Sequence, residues 1–153
     1  MGFKNRDVPF KGGSEFLMVF GDRAIEYTER KIAGMYALLH NWAGHLEDYA
    51  KEHASWVDRT SHARQGLHAG VEAQEDKFIL YLAHGIEYGS LLETGTKPHE
   101  IKPKEKKFLY LHGAKHPVKK VHHPGTKAHA IIAPTFDAHL SRIKNTVLDY
   151  WGD

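Results

Sequence analysis

The chain has 153 residues, 41% apolar and 11% aromatic, enough for one domain with its own core and too much for a wholly disordered protein. No apolar run approaches the ~20 residues of a membrane-spanning helix, and the polar, mixed-charge start, Met1 to Gly13, lacks the apolar stretch of a signal peptide. Zero cysteines exclude disulfides, thiolate nucleophiles and Cys-based zinc sites, and suit a reducing cytosol, while the formal net charge of +2 is the sum of two unequal regions described below.

Residues 1–13 are expected to form a flexible N-terminus to a single domain spanning 1–153. From Asp22 to Trp56 the residues Ile32, Met35, Leu39, Trp42, Leu46, Tyr49, His53 and Trp56 recur at steps of three and four. That spacing predicts one long helix with a single apolar stripe, with Asp22 as its N-cap. Gly34 and Gly44 each weaken such a helix by about 1 kcal/mol relative to Ala, so each either admits a close neighbour or is tolerated. The paired acids Glu47-Asp48 and Glu75-Asp76 read as solvated charge.

A polar stretch, Asp58 to Gly66, leads into two runs, Leu67 to Gln74 and Phe78 to His84, with Glu75-Asp76-Lys77 between them. This is the pattern of a β-hairpin, and the continuous Phe-Ile-Leu-Tyr-Leu-Ala of the second run predicts a strand covered on both faces. Ile86 to Glu93 predicts a short helix ended by Gly95. Phe108 to His112 and Val118 to His122 are the next candidate strands, kept short by Pro98, Pro103, Pro117 and Pro124. Pro134 marks the start of a last helix running to about Tyr150, with Phe136, Leu140, Ile143, Val147, Tyr150 and Trp151 on one side. The order implies an α+β fold: a small, mostly antiparallel sheet, a long N-terminal helix and a C-terminal helix packed on it, and a basic extended arm. Trp56 and Trp151 are the bulky anchors expected to be buried, within the fold or between subunits.

Residues 96–130 are that arm. They hold nine lysines against two acids, a formal +7, with six of the thirteen histidines and four of the six prolines. The rest of the chain holds twelve Lys and Arg against seventeen Asp and Glu, a formal −5. A basic arm on an acidic body predicts a surface that meets something negative, or the body of a neighbouring subunit. The candidate interface or channel-facing residues are Lys102, Lys104, Lys106, Lys107, Lys115, Lys119 and Lys120, together with Glu93 and Trp56. The arm has no arginine, which suits loose attraction to phosphate rather than bidentate reading of bases. A non-specific nucleic-acid-binding protein using this arm is therefore the alternative reading of function.

Catalytic patterns are missing. There is no Gly-x-Ser-x-Gly elbow, no phosphate-cradling loop and no His-Glu-x-x-His. The nearest approach to a metal-ligand cluster is His116, His122, His123 and His129. Adjacent histidines diverge in an extended chain, and the arm's only acids are Glu100 and Glu105. The expectation is no enzyme activity, no cofactor and no metal.

Several stretches in order carry a resemblance: Trp56-x-Asp58-Arg59-Thr60, then Ala63-Arg64-x-Gly66-Leu67, then Tyr88-Gly89-x-x-Leu92-Glu93-x-Gly95-Thr96. Ile101-x-Pro103, His123-Pro124-Gly125-Thr126-Lys127 and Ala133-Pro134 complete the series. Together they resemble the neck proteins of long-tailed bacteriophages, the tail-completion, head–tail joining or minor tail component family. One departure is Ser61-His62, where the family more often has Gly-Asn at a tight turn. The resemblance implies a structural virion protein assembled in the host cytoplasm. Such proteins form a ring, commonly a hexamer, between the head connector or stopper and the tail tube, around the DNA channel. It implies weak, non-specific contact with packaged DNA at most, no membrane, and no catalytic residues.

Overall fold

The computed structural model describes the chain except residues 1–12, 58, 59, 105, 106, 112, 114 and 153. The flexible segment expected over 1–13 thus lies outside the described residues but for Gly13, which begins the first helix. That helix, α1, runs Gly13–His53, 41 residues and about 60 Å at 1.5 Å per residue. It starts before the expected N-cap, so Asp22 is an exposed residue inside it. Residues 22–30 are exposed on every side, so this part of the helix projects past the body.

Packing begins at Lys31, whose Nζ donates to the Tyr150 carbonyl at 2.9 Å while the Tyr150 hydroxyl donates to the Lys31 carbonyl at 3.1 Å. The Tyr150 ring lies over Gly34, where a Cβ would come within 2.0 Å of the hydroxyl; Gly34 is therefore a close-approach site. Gly44 has nothing within 4 Å and is merely tolerated.

The buried stripe of α1 is rotated from the expected one. Met35, Leu39, Ala43, Leu46 and Ala50 are buried, whereas Ile32 is 45% exposed and His53 is at the surface. Trp42 and Tyr49 flank the stripe half-buried, against the His139 ring. Small alanines stand where neighbouring elements come closest, and apolar size alone does not reveal them. The helix ends at His53, and Trp56, beyond it, turns back into the core at 8% exposure. Arg64 closes the end of α1 by donating to the carbonyls of Lys51 and Ala54, satisfying acceptors that a helix C-terminus leaves open.

A one-turn helix α2 (His62–Gln65) follows, and then the hairpin of β1 (Leu67–Gln74) and β2 (Lys77–His84), paired antiparallel from Leu67↔His84 to Gln74↔Lys77. Only one face of β2 reaches the core: Leu82 is buried, while Tyr81 on the other face is 39% exposed. With α1 on one side and nothing comparable on the other, the expected two-sided cover does not arise. Helix α3 (Gly89–Thr94) ends at Gly95 as anticipated. The arm contains β3 (His99–Ile101) and β4 (Val121–His123), a separate two-stranded antiparallel sheet. The single sheet expected from sequence is therefore two. The candidate strand 108–112, whose last residue lies outside the described ones, is reduced to one bridge, Leu109↔Val118; the candidate 118–122 overlaps β4 at Val121 and His122, but its partner is 99–101. Prolines at 98, 103, 117 and 124 bracket each piece and limit the ladders.

Helix α4 (Ile132–Gly152) packs on α1. Pro134 sits in its first turn, where the missing N–H costs nothing. Ile143 and Thr135 are its buried residues, while Leu140 and Trp151 are more than half exposed, so Trp151 is not buried within its own chain. The fold is α+β: a long N-terminal helix, two small antiparallel two-stranded sheets, and a C-terminal helix on the first. The core of the body gathers Ala50, Ala54, Trp56, Ala63, Leu67, Leu82 and Ile131, with Leu92, Ile132 and Phe136 against it. Among the described residues no helix is long and apolar enough to cross a membrane.

Candidate functional site

Parts of three motif stretches, Trp56, residues 88–96 and residues 123–127, come together where the arm leaves the body, while Asp58 and Arg59 lie outside the described residues. Gly89 allows α3 to lie directly on His84, since a Cβ at that position would stand 2.2 Å from the His84 Cβ. The His84 ring packs at 5.8 Å from the Trp56 ring, and its Nε2 donates to the Glu93 carboxylate at 2.9 Å. That carboxylate also accepts from the backbone N–H of Ile131, at 3.1 and 3.2 Å, and of Ile132, at 3.4 Å. Glu93 thereby caps α4 from a helix thirty-eight residues away, placing negative charge at the positive end of the helix dipole. The Glu93 side chain is 19% exposed, and these contacts lie within its own chain.

Three residues past Glu93 the arm begins. Thr96 and Thr126 exchange backbone hydrogen bonds at 3.0 Å in both directions, and their hydroxyls meet at 3.0 Å. Gly95 (φ 68°) and Gly125 (φ 89°) bracket this bridge. A Cβ on Gly95 would stand 2.4 Å from the Thr126 carbonyl oxygen, and one on Gly125 would stand 2.3 Å from that of Thr96. Both positions need a left-handed backbone and close approach, which only glycine gives cheaply. The return strand is tied down by His129, whose N–H donates to the Leu92 carbonyl at 2.7 Å and whose Nδ1 lies 2.9 Å from the Ser55 hydroxyl. Ser61, where the resembled family more often has Gly, has φ 60° and is the only non-Gly residue with positive φ among those described.

Beyond the root, His99 and His123 stack across β3 and β4 with ring centroids 5.1 Å apart. Glu100 gathers Lys120 at 2.9 Å and Lys102 at 3.6 Å. The Lys120 hydrogen bond, with Lys102 beside it, holds the Glu100 carboxyl below the ordinary carboxylate range. Lys104, Lys107, Lys115 and Lys119 are exposed and make no ion pair among the described residues; Lys106 lies outside them. Of the candidate residues, then, Trp56 and Glu93 meet at the root, Lys102 and Lys120 meet on the ribbon, and the others stand apart on the arm's surface. His116 and His122 are exposed, away from the contacts made by His123 and His129. Among the described residues no three His, Asp or Glu side chains are grouped to hold a metal ion.

Two partners at this site and beside it escape sequence reading. His84 sits inside an apolar run and shows no motif of its own. Glu47, expected as solvated charge, is engaged: its carboxylate accepts from the β1 backbone at Ala69 at 2.9 Å and from Lys51 at 2.5 Å. Lys51 foremost, and the Ala69 N–H next, hold its carboxyl below the ordinary value. A Glu-x-x-x-Lys spacing on a helix is the only local signal for it. The arrangement as a whole is mechanical: it fixes the direction in which a charged ribbon leaves a packed body. No protein-family model, curated protein or solved structure significantly matches the chain.

Proposed function

We propose that the chain is a structural virion protein of the neck of a long-tailed bacteriophage. It forms a ring, commonly of six copies, at the head–tail junction, most simply by completing the tail and joining it to the head connector around the DNA channel. The observation that carries this reading is the convergence at the arm's root. Two of the stretches that resemble the neck family, 88–96 and 123–127, supply contacts that fix the arm to the body. The position where that family more often has Gly is the one non-Gly position with positive φ among the described residues. A residue set whose shared duty is to aim a ribbon suits a subunit that holds its neighbours by that ribbon. The Lys-rich surface suits a lumen or neighbour of opposite charge, and the role calls for neither catalysis nor a cofactor.

The test is the mass of the purified protein by light scattering and native mass spectrometry, together with images of particles carrying a labelled copy. The expected result is a closed oligomer of 17.4-kDa chains and label at the neck. A protein that stays monomeric at every concentration and never enters particles overturns the reading. The alternative, a non-specific nucleic-acid-binding protein, predicts instead tight binding of unrelated duplexes as a monomer. Its affinity should fall steeply between about 50 and 200 mM salt.

A further inference from the structure

We propose that the tip of the arm of one copy seats in the groove between α1, the hairpin and α4 of a second copy. The proposal rests on the reading of the chain as a self-assembling subunit and assigns the two surfaces that meet.

The tip is apolar at its centre and basic around it. Phe108, Tyr110 and Leu111 are exposed, Tyr110 at 77%. Residues 102–120 hold seven lysines against a single acid, Glu105. An exposed aromatic in a segment whose Lys104, Lys107, Lys115 and Lys119 make no ion pair among the described residues is a natural anchor for a contact.

The groove has the opposite character. It encloses about 620 Å³, and its walls include Ile32, Phe78, Val147 and Trp151. Ile32 and Trp151 are 45% and 52% exposed although they face a groove built for apolar contact. Its rim is the end of the hairpin, where Glu75 and Asp76 stand with Lys77, and Glu72 is exposed three residues before them. Over residues 72–77 that makes three acids against one base. An apolar, basic tip and an apolar groove with an acidic rim match in both chemistry and charge.

Tip and groove are different surfaces, so each copy offers one of each. Contacts of this kind are heterologous and run head to tail, closing into a ring where the rotation permits. The arm's root aims the tip, and the projecting half of α1 leaves the groove open to a neighbour.

Charge reversal with complementation tests this. Glu75→Lys with Asp76→Lys makes groove rim and tip both basic; Lys104→Glu, Lys107→Glu, Lys115→Glu and Lys119→Glu together make both acidic, since residues 102–120 then hold three lysines against five acids. Each variant alone should shift from the assembled mass toward the 17.4-kDa monomer. An equimolar mixture should reassemble, because each groove then finds a tip of opposite sign. That recovery also shows that both variants fold. Because the chain has no cysteine, a second arm uses single thiols. Tyr110→Cys mixed with Ala73→Cys should give a disulfide-linked dimer on oxidation, and Tyr110→Cys mixed with Leu91→Cys should not. Wild-type assembly that persists in both charge variants, mixtures that remain dissociated, or equal cross-linking to Leu91→Cys would each overturn the tip-in-groove contact while leaving ring formation standing. A wild-type protein that never assembles would overturn both.

Discussion

At its root the arm is held by backbone: two Thr96–Thr126 hydrogen bonds between two positive-φ glycines, with Glu93 capping α4 alongside. At its tip the only ladder contact among the described residues is the Leu109–Val118 bridge, and Tyr110 stands largely in solvent. Both ends belong to one thirty-five-residue segment, yet one is over-determined and the other nearly bare. The difference separates two duties that charge composition alone runs together. On the proposed reading, root residues decide where the arm points, and tip residues decide what it meets. Changes at the root should therefore register in the stability of the isolated chain. Changes at the tip should register in assembly and leave the chain intact.

The largest loss is expected at the root glycines. Gly95→Ala places a Cβ 2.4 Å from the Thr126 carbonyl at φ 68°. Backbone strain of ~1–3 kcal/mol and the clash add, so a loss of about 3 kcal/mol in urea unfolding is expected. A loss under about 1 kcal/mol would mean that the root yields and does not aim the arm. Glu93→Ala comes next. It removes a charged acceptor from two helix-end N–H groups and from His84, and a loss of about 2 kcal/mol is expected. Glu93→Gln keeps an acceptor and should lose less. Amide exchange at Ile131 and Ile132 is the local readout, and unchanged protection there would break the capping assignment.

How far these two regions could be read from sequence follows the same division. The hairpin, the helix ended by Gly95, the last helix and the charge split were legible because each is written in neighbouring residues. The rotated stripe of α1 was not, because Ala43 and Ala50 owe their burial to elements distant in sequence, and size favours Trp42 and Tyr49. The first of the arm's strands is misplaced because apolar alternation at 108–111 outweighs the polar His99–Ile101, whose partner, Val121–His123, lies twenty residues further on and overlaps the expected 118–122. Glu93 was singled out for its motif, yet its partners Ile131 and Ile132 are nearly forty positions away, and no local pattern announces them. Glu47 and His84 were passed over for the same reason.

Two smaller effects sharpen the account of the body. Ser61 holds φ 60° without being glycine. A non-Gly residue in that region costs ~1–2 kcal/mol, partly offset because glycine loses more chain entropy on folding. Ser61→Gly should therefore stabilise by about 0.5–1 kcal/mol. A destabilised variant would show that the Ser61 side chain does something the backbone does not reveal. Glu47 supplies a pH dependence of similar size. Its folded pKa is depressed by Lys51 and the Ala69 N–H from a reference of 4.5. The stability it contributes is therefore present above that value and lost as pH falls through the folded pKa. The pair is largely solvent-screened, so less than about 1 kcal/mol is at stake. Glu47→Gln should be less stable at neutral pH and should lose less on acidification below 4.5; parallel acid limbs would assign that limb to other groups.

The smallest effect on the isolated chain is expected at the tip. Lys104, Lys107 and Lys119 are exposed and make no ion pair among the described residues. Replacing all three by Glu should change unfolding free energy by less than about 0.5 kcal/mol, since nothing in the packed body depends on them. The same triple change moves the arm's formal charge by six units of opposite sign, from the +7 of residues 96–130 to +1. Oligomer mass at low salt should then fall, and raising salt should weaken the wild type in the same direction, because screening and reversal act on one attraction. Lys102 and Lys120 offer the internal control. They already share Glu100, so removing them should affect the ribbon before it affects a partner. If the triple change costs as much in unfolding as it does in assembly, the tip is part of the fold, and the division between root and tip fails.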